Sequence, residues 1–371
     1  MTIRAERSGS WRAASWQGGL PKCLRNRWKL MVWSPKGRCC FLGHLRELGV
    51  VGTWQRLARP QFGLADRISE AISLIEWRDG RPFTNVRSSG ELLIACDFSG
   101  SHASADFEAF AFLVGAIGGC GQWMEERSLI RKRFLPDGRR MAYKALNDRR
   151  RRRALLPFLQ AADLYPGNLF IFVVAKKIAS LFDDPGTERL FPELVVAVRN
   201  WKRRSFQRLL LVATLGSLLV SGLSEPYQDV LWVVDQDEIA ANPTKHNHAG
   251  HVIHHCISTY APTNTGQLVF LTTEADFNNR MIEDVVAIAD LAAGSMVDAF
   301  GTRDRVQPAG LWVRPSASMP TKGEVILNWL AQPGEALRRV VIVLDQRPDR
   351  SVVAWAFQPL LSDDGFAYIQ R

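Results

Sequence analysis

At 371 residues, with 23% charged residues and a formal net charge of +10, the chain is long enough to bury a substantial core as one large domain or two smaller ones. Residues 1–64 hold 12 Lys/Arg against Glu6 and Glu47, while the remainder holds 35 of each sign, so the basic excess is local and the main body is not uniformly cationic. Six cysteines (Cys23, Cys39, Cys40, Cys96, Cys120, Cys256) without Cys-x-x-Cys spacing argue against a disulfide framework or a structural zinc site, and suggest reduced thiols in a cytoplasm.

Residues 1–64 are rich in Trp, Arg, Gly and Ser and keep no helical or strand period. Two readings stay open for them: a flexible basic arm, or upstream reading frame included by a wrong start site. Ile68, Ala71, Ile72 and Ile75 predict a helix that Gly80 stops. Leu92, Leu93, Ile94 and Ala95 then predict a strand buried on both faces, running out through Asp97 into the Ser/Gly-rich Ser99-Gly100-Ser101. Such an end exposes the aspartate, which is read as the first metal ligand. Phe107, Ala109, Ala111 and Leu113 predict its antiparallel partner.

Glu125 to Tyr143 reads as strand, turn and strand, with the turn at Pro136-Asp137-Gly138. A helix is predicted from Asp148 to Leu164 and an apolar strand from Asn168 to Ala175. Thr187 to Leu223 reads as mostly helical, broken near Gly216. Its run Leu209–Leu223 is shorter than the roughly 20 residues a bilayer requires, and Lys202, Arg203, Arg204 and Arg208 precede it. A buried helix is expected there, with no membrane contact. A strand from Asp229, ending in Asp235, Asp237 and Glu238, is followed by a helix over His246–Tyr260, a strand over Leu268–Thr272 and a helix over Asn278–Phe300. Beyond Gly301, Arg338–Leu344 and Ser351–Phe357 predict a hairpin that adds an edge to the sheet or belongs to a small α+β appendix. The expected class is α/β, a mixed sheet flanked by helices, divided into segments 1–64, 65–300 and 301–371.

Two motifs carry a resemblance. Asp97, Ser99 and Gly100, and the later run Ile288, Ala289, Asp290, Leu291, Ala293 and Gly294, resemble an RNase H-like nuclease family that opens with Asp-Glu-Ser-Gly and closes with a helix similar to Leu-Gln-Ile-Ala-Asp-Leu-Ile-Ala-Gly. The likeness covers about residues 91–300, and Phe98 stands where the family has glutamate. It implies an RNase H-like fold and phosphodiester hydrolysis assisted by two Mg²⁺ or Mn²⁺ ions, with links to mobile elements or defence. It also implies catalytic carboxylates at Asp97, Asp235 and Asp290. Asp237 and Glu238 are candidates for a fourth ligand, and Glu274 and Asp284 are weaker ones. Hard divalent ions take oxygen ligands, which is why carboxylates must converge. Asp284 and Asp290, six residues apart, should lie on different helix faces. The departure at Phe98 is expected to remove a carboxylate beside the metal site.

Between Arg127 and Arg153 stand 12 Lys/Arg against Asp137 and Asp148. Arg131, Lys132, Arg133, Arg139, Arg140 and the run Arg149, Arg150, Arg151, Arg152, Arg153 are read as a nucleic-acid-binding surface, because guanidinium groups bind phosphate and a helix start does not favour positive charge. Such contacts hold DNA or RNA without selecting sequence. His248, His251 and His255 form a stripe if helical, an auxiliary metal or proton-transfer set set against a plain polar face. The competing function is a catalytically inactive RNase H-like scaffold that binds nucleic acid, a protein partner or a second copy of itself.

Overall fold

The computed structural model describes residues 2–3, 54–57, 64–79, 81–178, 201–261, 265–276, 279–301, 303–306, 312–315, 319–347, 349, 351–361 and 367–370. Most of segment 1–64, the stop at Gly80 and the helix expected over 187–200 lie outside the described residues.

The apolar runs form strands β1 (Thr2–Ile3), β2 (Glu91–Ser99), β3 (Phe107–Ala116), β4 (Gly167–Ala175), β5 (Asp229–Val234), β6 (Leu268–Thr272), β7 (Arg303–Val306), β8 (Trp312–Pro315), β9 (Leu337–Gln346), β10 (Val352–Leu361) and β11 (Ala367–Gln370). They neighbour one another in the order β1-β6-β5-β2-β3-β4-β9-β10-β11-β8-β7. The run from β6 to β10 is the mixed central sheet. Strands β2, β5 and β6 are parallel, β3 runs antiparallel to β2 and β4, and β9 lies parallel to β4. Every residue of β4 is buried, the pattern of a strand covered on both faces.

Helices α1 (Leu64–Asp79), α2 (Gly121–Phe134), α3 (Arg149–Ala162), α4 (Arg203–Leu223), α5 (Pro243–Tyr260), α6 (Met281–Gly301) and α7 (Thr321–Ala331) complete the α/β architecture. One face of the sheet carries α4, with α1 and α5 beside it, and the other carries α6 and α7. By length and composition α4 could cross a membrane, but 78% of its apolar window is buried inside the protein. Gly216 does not break this helix. A Cβ there would stand 2.2 Å from the Trp232 ring, so glycine serves a close helix–sheet approach.

Two further expectations need correction. Glu125–Tyr143 is not a strand pair, because α2 runs to Phe134 and buries Trp123, Arg127 and Ile130 along one stripe. Long charged side chains with good helix propensity dominate this stretch, and the turn residues only end it. The tail follows the first of its two readings and extends the sheet: β9 pairs with β4 from Gly167↔Leu337 to Val174↔Leu344, and Val341, Ile342 and Leu344 are fully buried. Finally, Trp54 belongs to the core although it falls in the expected basic arm. Its indole N–H donates to Ser69 Oγ at 3.0 Å, and its ring covers Gly222.

Candidate functional site

Strand register brings the first acids together. Cys96 pairs with Val234, and Val234 with Thr272, so Asp97, Asp235 and Thr273 occupy the next rung across three neighbouring parallel strands. Such strands lie about 4.8 Å apart. Gly100 lets β2 turn away just beyond: its φ is 89°, and a Cβ would stand 2.3 Å from the Phe107 carbonyl oxygen. Helix α6 crosses this edge with Ala289, Ala292 and Ala293 fully buried. These small side chains permit close approach of the helix, and with it Asp290.

The carboxyls feel one another. Burial raises the pKa of Asp97 well above the usual range, and the charges of Asp290, Asp237 and Asp235 raise it further, against a hydrogen bond from the Phe98 N–H. Asp290 is raised by burial and by Asp235, with the Tyr143 N–H, Arg140 and Lys144 opposing. Burial, opposed by the Ile239 N–H, takes Asp237 to about 6. Asp235 differs: burial pushes it up, but hydrogen bonds from Arg140 and Thr273 outweigh this and hold it below its ordinary value. Its Oδ1 accepts from Thr273 Oγ1 at 2.7 Å and from the Gln236 N–H at 2.8 Å, while Oδ2 accepts from Arg140 Nη2 at 2.5 Å.

Other sequence candidates lie elsewhere. Glu238 is held by Arg208 and by Ser205 Oγ at 3.1 Å, and Arg208 also pairs with Glu108 at 2.8 Å. Phe98 stacks under this same guanidinium, 5.2 Å from it, and against Phe110. Strand alternation therefore turns position 98 to the α4 face, away from Asp97, and a glutamate there would join the Arg208 network. The expectation that Phe98 removes a carboxylate beside Asp97 is corrected accordingly. Asp284 is fully buried between Arg127 and Arg131 and serves to fasten α2 to α6. Among the described residues no three His, Cys, Asp or Glu side chains are grouped so as to hold a metal ion as they stand. This includes the stripe on α5, where Trp201 Nε1 lies 3.2 Å from His248 Nδ1.

The basic segment reaches the acids through Tyr143. Its backbone N–H donates to Asp290 Oδ2 at 2.6 Å, its hydroxyl bonds Asp298, and its ring packs where a side chain on Gly294 would stand 2.3 Å away. Half of the expected phosphate-binding set is already engaged within the protein. Arg131 pairs with Asp284, Arg139 with Asp137 and Asp148, Arg140 with Asp235, Arg150 with Asp137 and Arg151 with Asp148. Asp148 also caps α3 by accepting from the Arg150 N–H at 2.7 Å, which offsets the positive start of that helix. Lys132, Arg133, Arg149, Arg152 and Arg153 are exposed and form no ion pair among the described residues. Sequence reasoning missed Tyr143 and Thr273, two uncharged residues that carry no catalytic motif. No protein-family model matches this chain, and no curated protein shows a significant match to it.

Proposed function

We propose that the chain is an RNase H-like, metal-dependent nuclease that hydrolyses phosphodiester bonds of DNA or RNA. The observation that carries the reading is the meeting of Asp97, Asp235, Asp237 and Asp290 where β2 and β5 end beneath α6; burial and neighbouring carboxylates raise Asp97, Asp237 and Asp290 while Arg140 holds Asp235 ionised. An all-oxygen donor set under mutual repulsion fits hard divalent cations. The sheet lends support: a β2-β3-β4 antiparallel meander is extended beyond β2 by parallel β5 and β6, the order of an RNase H-like core, with α6 as the closing helix. Two bound Mg²⁺ or Mn²⁺ ions would activate water and stabilise the leaving oxygen. Asp97, Asp235 and Asp290 would hold them, with Asp237 as the added ligand, while Glu238 stays on Arg208. Thr273 orients Asp235, and the Tyr143 N–H orients Asp290. Exposed Lys132, Arg133, Arg149, Arg152 and Arg153 would track the phosphate backbone without reading bases. The buried free thiols Cys96, Cys120 and Cys256 agree with a reducing, cytoplasmic setting.

The Arg140–Asp235 pair, which already neutralises one acid, favours a second reading, an inactive RNase H-like scaffold that binds nucleic acid or a protein partner. Cleavage of labelled single-stranded, duplex and hybrid substrates in Mg²⁺ or Mn²⁺ separates the two. The nuclease predicts cutting that disappears in EDTA, in Asp97→Asn and in Asp290→Asn. Binding without cutting by all three proteins would overturn it in favour of the scaffold.

A further inference from the structure

Arg140 stands among the acids in an unusual way. Its guanidinium makes a single contact to Asp235, through Nη2 to Oδ2 at 2.5 Å, and its Nε is buried without a hydrogen-bond partner. The closed, two-bond fork that makes Arg–carboxylate pairs strong is absent here. The pair also keeps solvent access, with side-chain exposures of 33% and 24%, so it is weaker than a sealed one. The main chain beneath is fixed. Arg151 Nε donates to the Arg140 carbonyl at 2.7 Å, and neighbouring Arg139 is tied to Asp137 and Asp148. The side chain can therefore leave Asp235 without the loop moving. Asp235 is equally asymmetric: Oδ1 holds two hydrogen bonds inside the protein, whereas Oδ2 has Arg140.

We propose that Arg140 is a tethered counter-ion of the acid cluster, holding Oδ2 of Asp235 until a divalent cation displaces it. This rests on the reading of the cluster as a divalent-cation site. Arg140 is thus a positioning residue: it keeps four mutually repelling carboxylates assembled, and it sets the affinity for metal by competing with it. Asp97, Asp290 and Glu283 feel the same charge, Lys144 adds a second cation at Asp290, and Asp237 is opposed by Arg208 instead.

The test is Mn²⁺ binding to the full chain, followed by calorimetry and by thermal melts in EDTA and in Mn²⁺. Arg140→Gln should bind Mn²⁺ about tenfold more tightly than wild type, the order expected when one unit charge leaves the surroundings of a divalent ion even with the screening of bulk water. It should also melt lower in EDTA and gain more from Mn²⁺ than wild type does. Arg140→Lys should restore binding toward wild type, which a purely structural role does not predict. Arg140→Met, which keeps the aliphatic stem, replaces the glutamine variant if that fails to fold. Binding no tighter in Arg140→Gln, together with weaker binding in Asp97→Asn, would sink the competition and leave the metal site standing. Absence of Mn²⁺ binding in every protein, Arg140→Gln included, would overturn both.

Discussion

Asp284→Ala is the sharpest test of how the basic helix is held against the acid-bearing one. Asp284 has no exposed side-chain surface, and its partners Arg127 and Arg131 have side-chain exposures of 6% and 10%. Arg127 Nη1 donates to Oδ2 at 2.7 Å and Arg131 Nε to the same oxygen at 2.5 Å, with Arg131 Nη2 on Oδ1. Removing the aspartate leaves two guanidiniums enclosed without a counter-charge, which costs about 3–5 kcal/mol for sealed pairs. Some compensation remains, since Arg127 still donates to the Asn279 carbonyl at 2.9 Å and Arg131 to the Arg139 carbonyl at 3.3 Å. A loss near the lower end, about 3 kcal/mol, is therefore expected. Urea unfolding reads it as a lowered midpoint at unchanged slope. Asp137→Ala is the control: its pairs with Arg139 and Arg150 are solvent-exposed, and the midpoint should hardly move. Refutation would be an Asp284→Ala loss below about 1 kcal/mol, the value for an exposed pair, or equal losses in the two variants.

Two further outcomes probe the acids. In EDTA, the raised pKa values of Asp97, Asp237 and Asp290 mean that the folded state holds protons the unfolded chain releases. That stability is present below the ordinary carboxylate value and declines as pH rises through the folded values, about 6 in the case of Asp237. Asp235 acts in the opposite sense, its contribution falling away only below the ordinary value. Asp97→Asn should accordingly melt higher than wild type at pH 7–8, by about 2–4 °C for each kcal/mol relieved, and the gain should vanish at pH 4. A lower melting point at every pH would count against the mutual repulsion. Gly294→Ala should lower stability by about 1–3 kcal/mol through overpacking on Tyr143, despite the gain of about 1 kcal/mol that alanine brings to a helix. It should also weaken Mn²⁺ binding by moving the N–H on Asp290, and an unchanged melt would contradict the packing at Gly294.

Much of the fold was legible because its signals are local. Ile94 and Ala95 leading to Asp97, Val233 and Val234 leading to Asp235, and the small residues around Asp290 each declare an element and place an acid at its end or face, with no knowledge of neighbours. Alternation along β2 also contained the answer for Phe98, since successive strand residues face opposite sides. What the tertiary structure alone decided is which elements lie side by side and which charges meet. The insertion of β9 beside β4 joins residues some 170 positions apart by backbone hydrogen bonds, which any apolar strand offers alike. The helix α2 (Gly121–Phe134) gains from burying Trp123 and Ile130 and from the Asp284 anchor, a contact 153 residues away at Arg131. Most of all, a count of basic residues cannot tell Arg140 from Arg149. Asp235 holds the first, the second is exposed, and the difference comes from the distance to a carboxylate on another strand, which governs electrostatics and which composition does not encode.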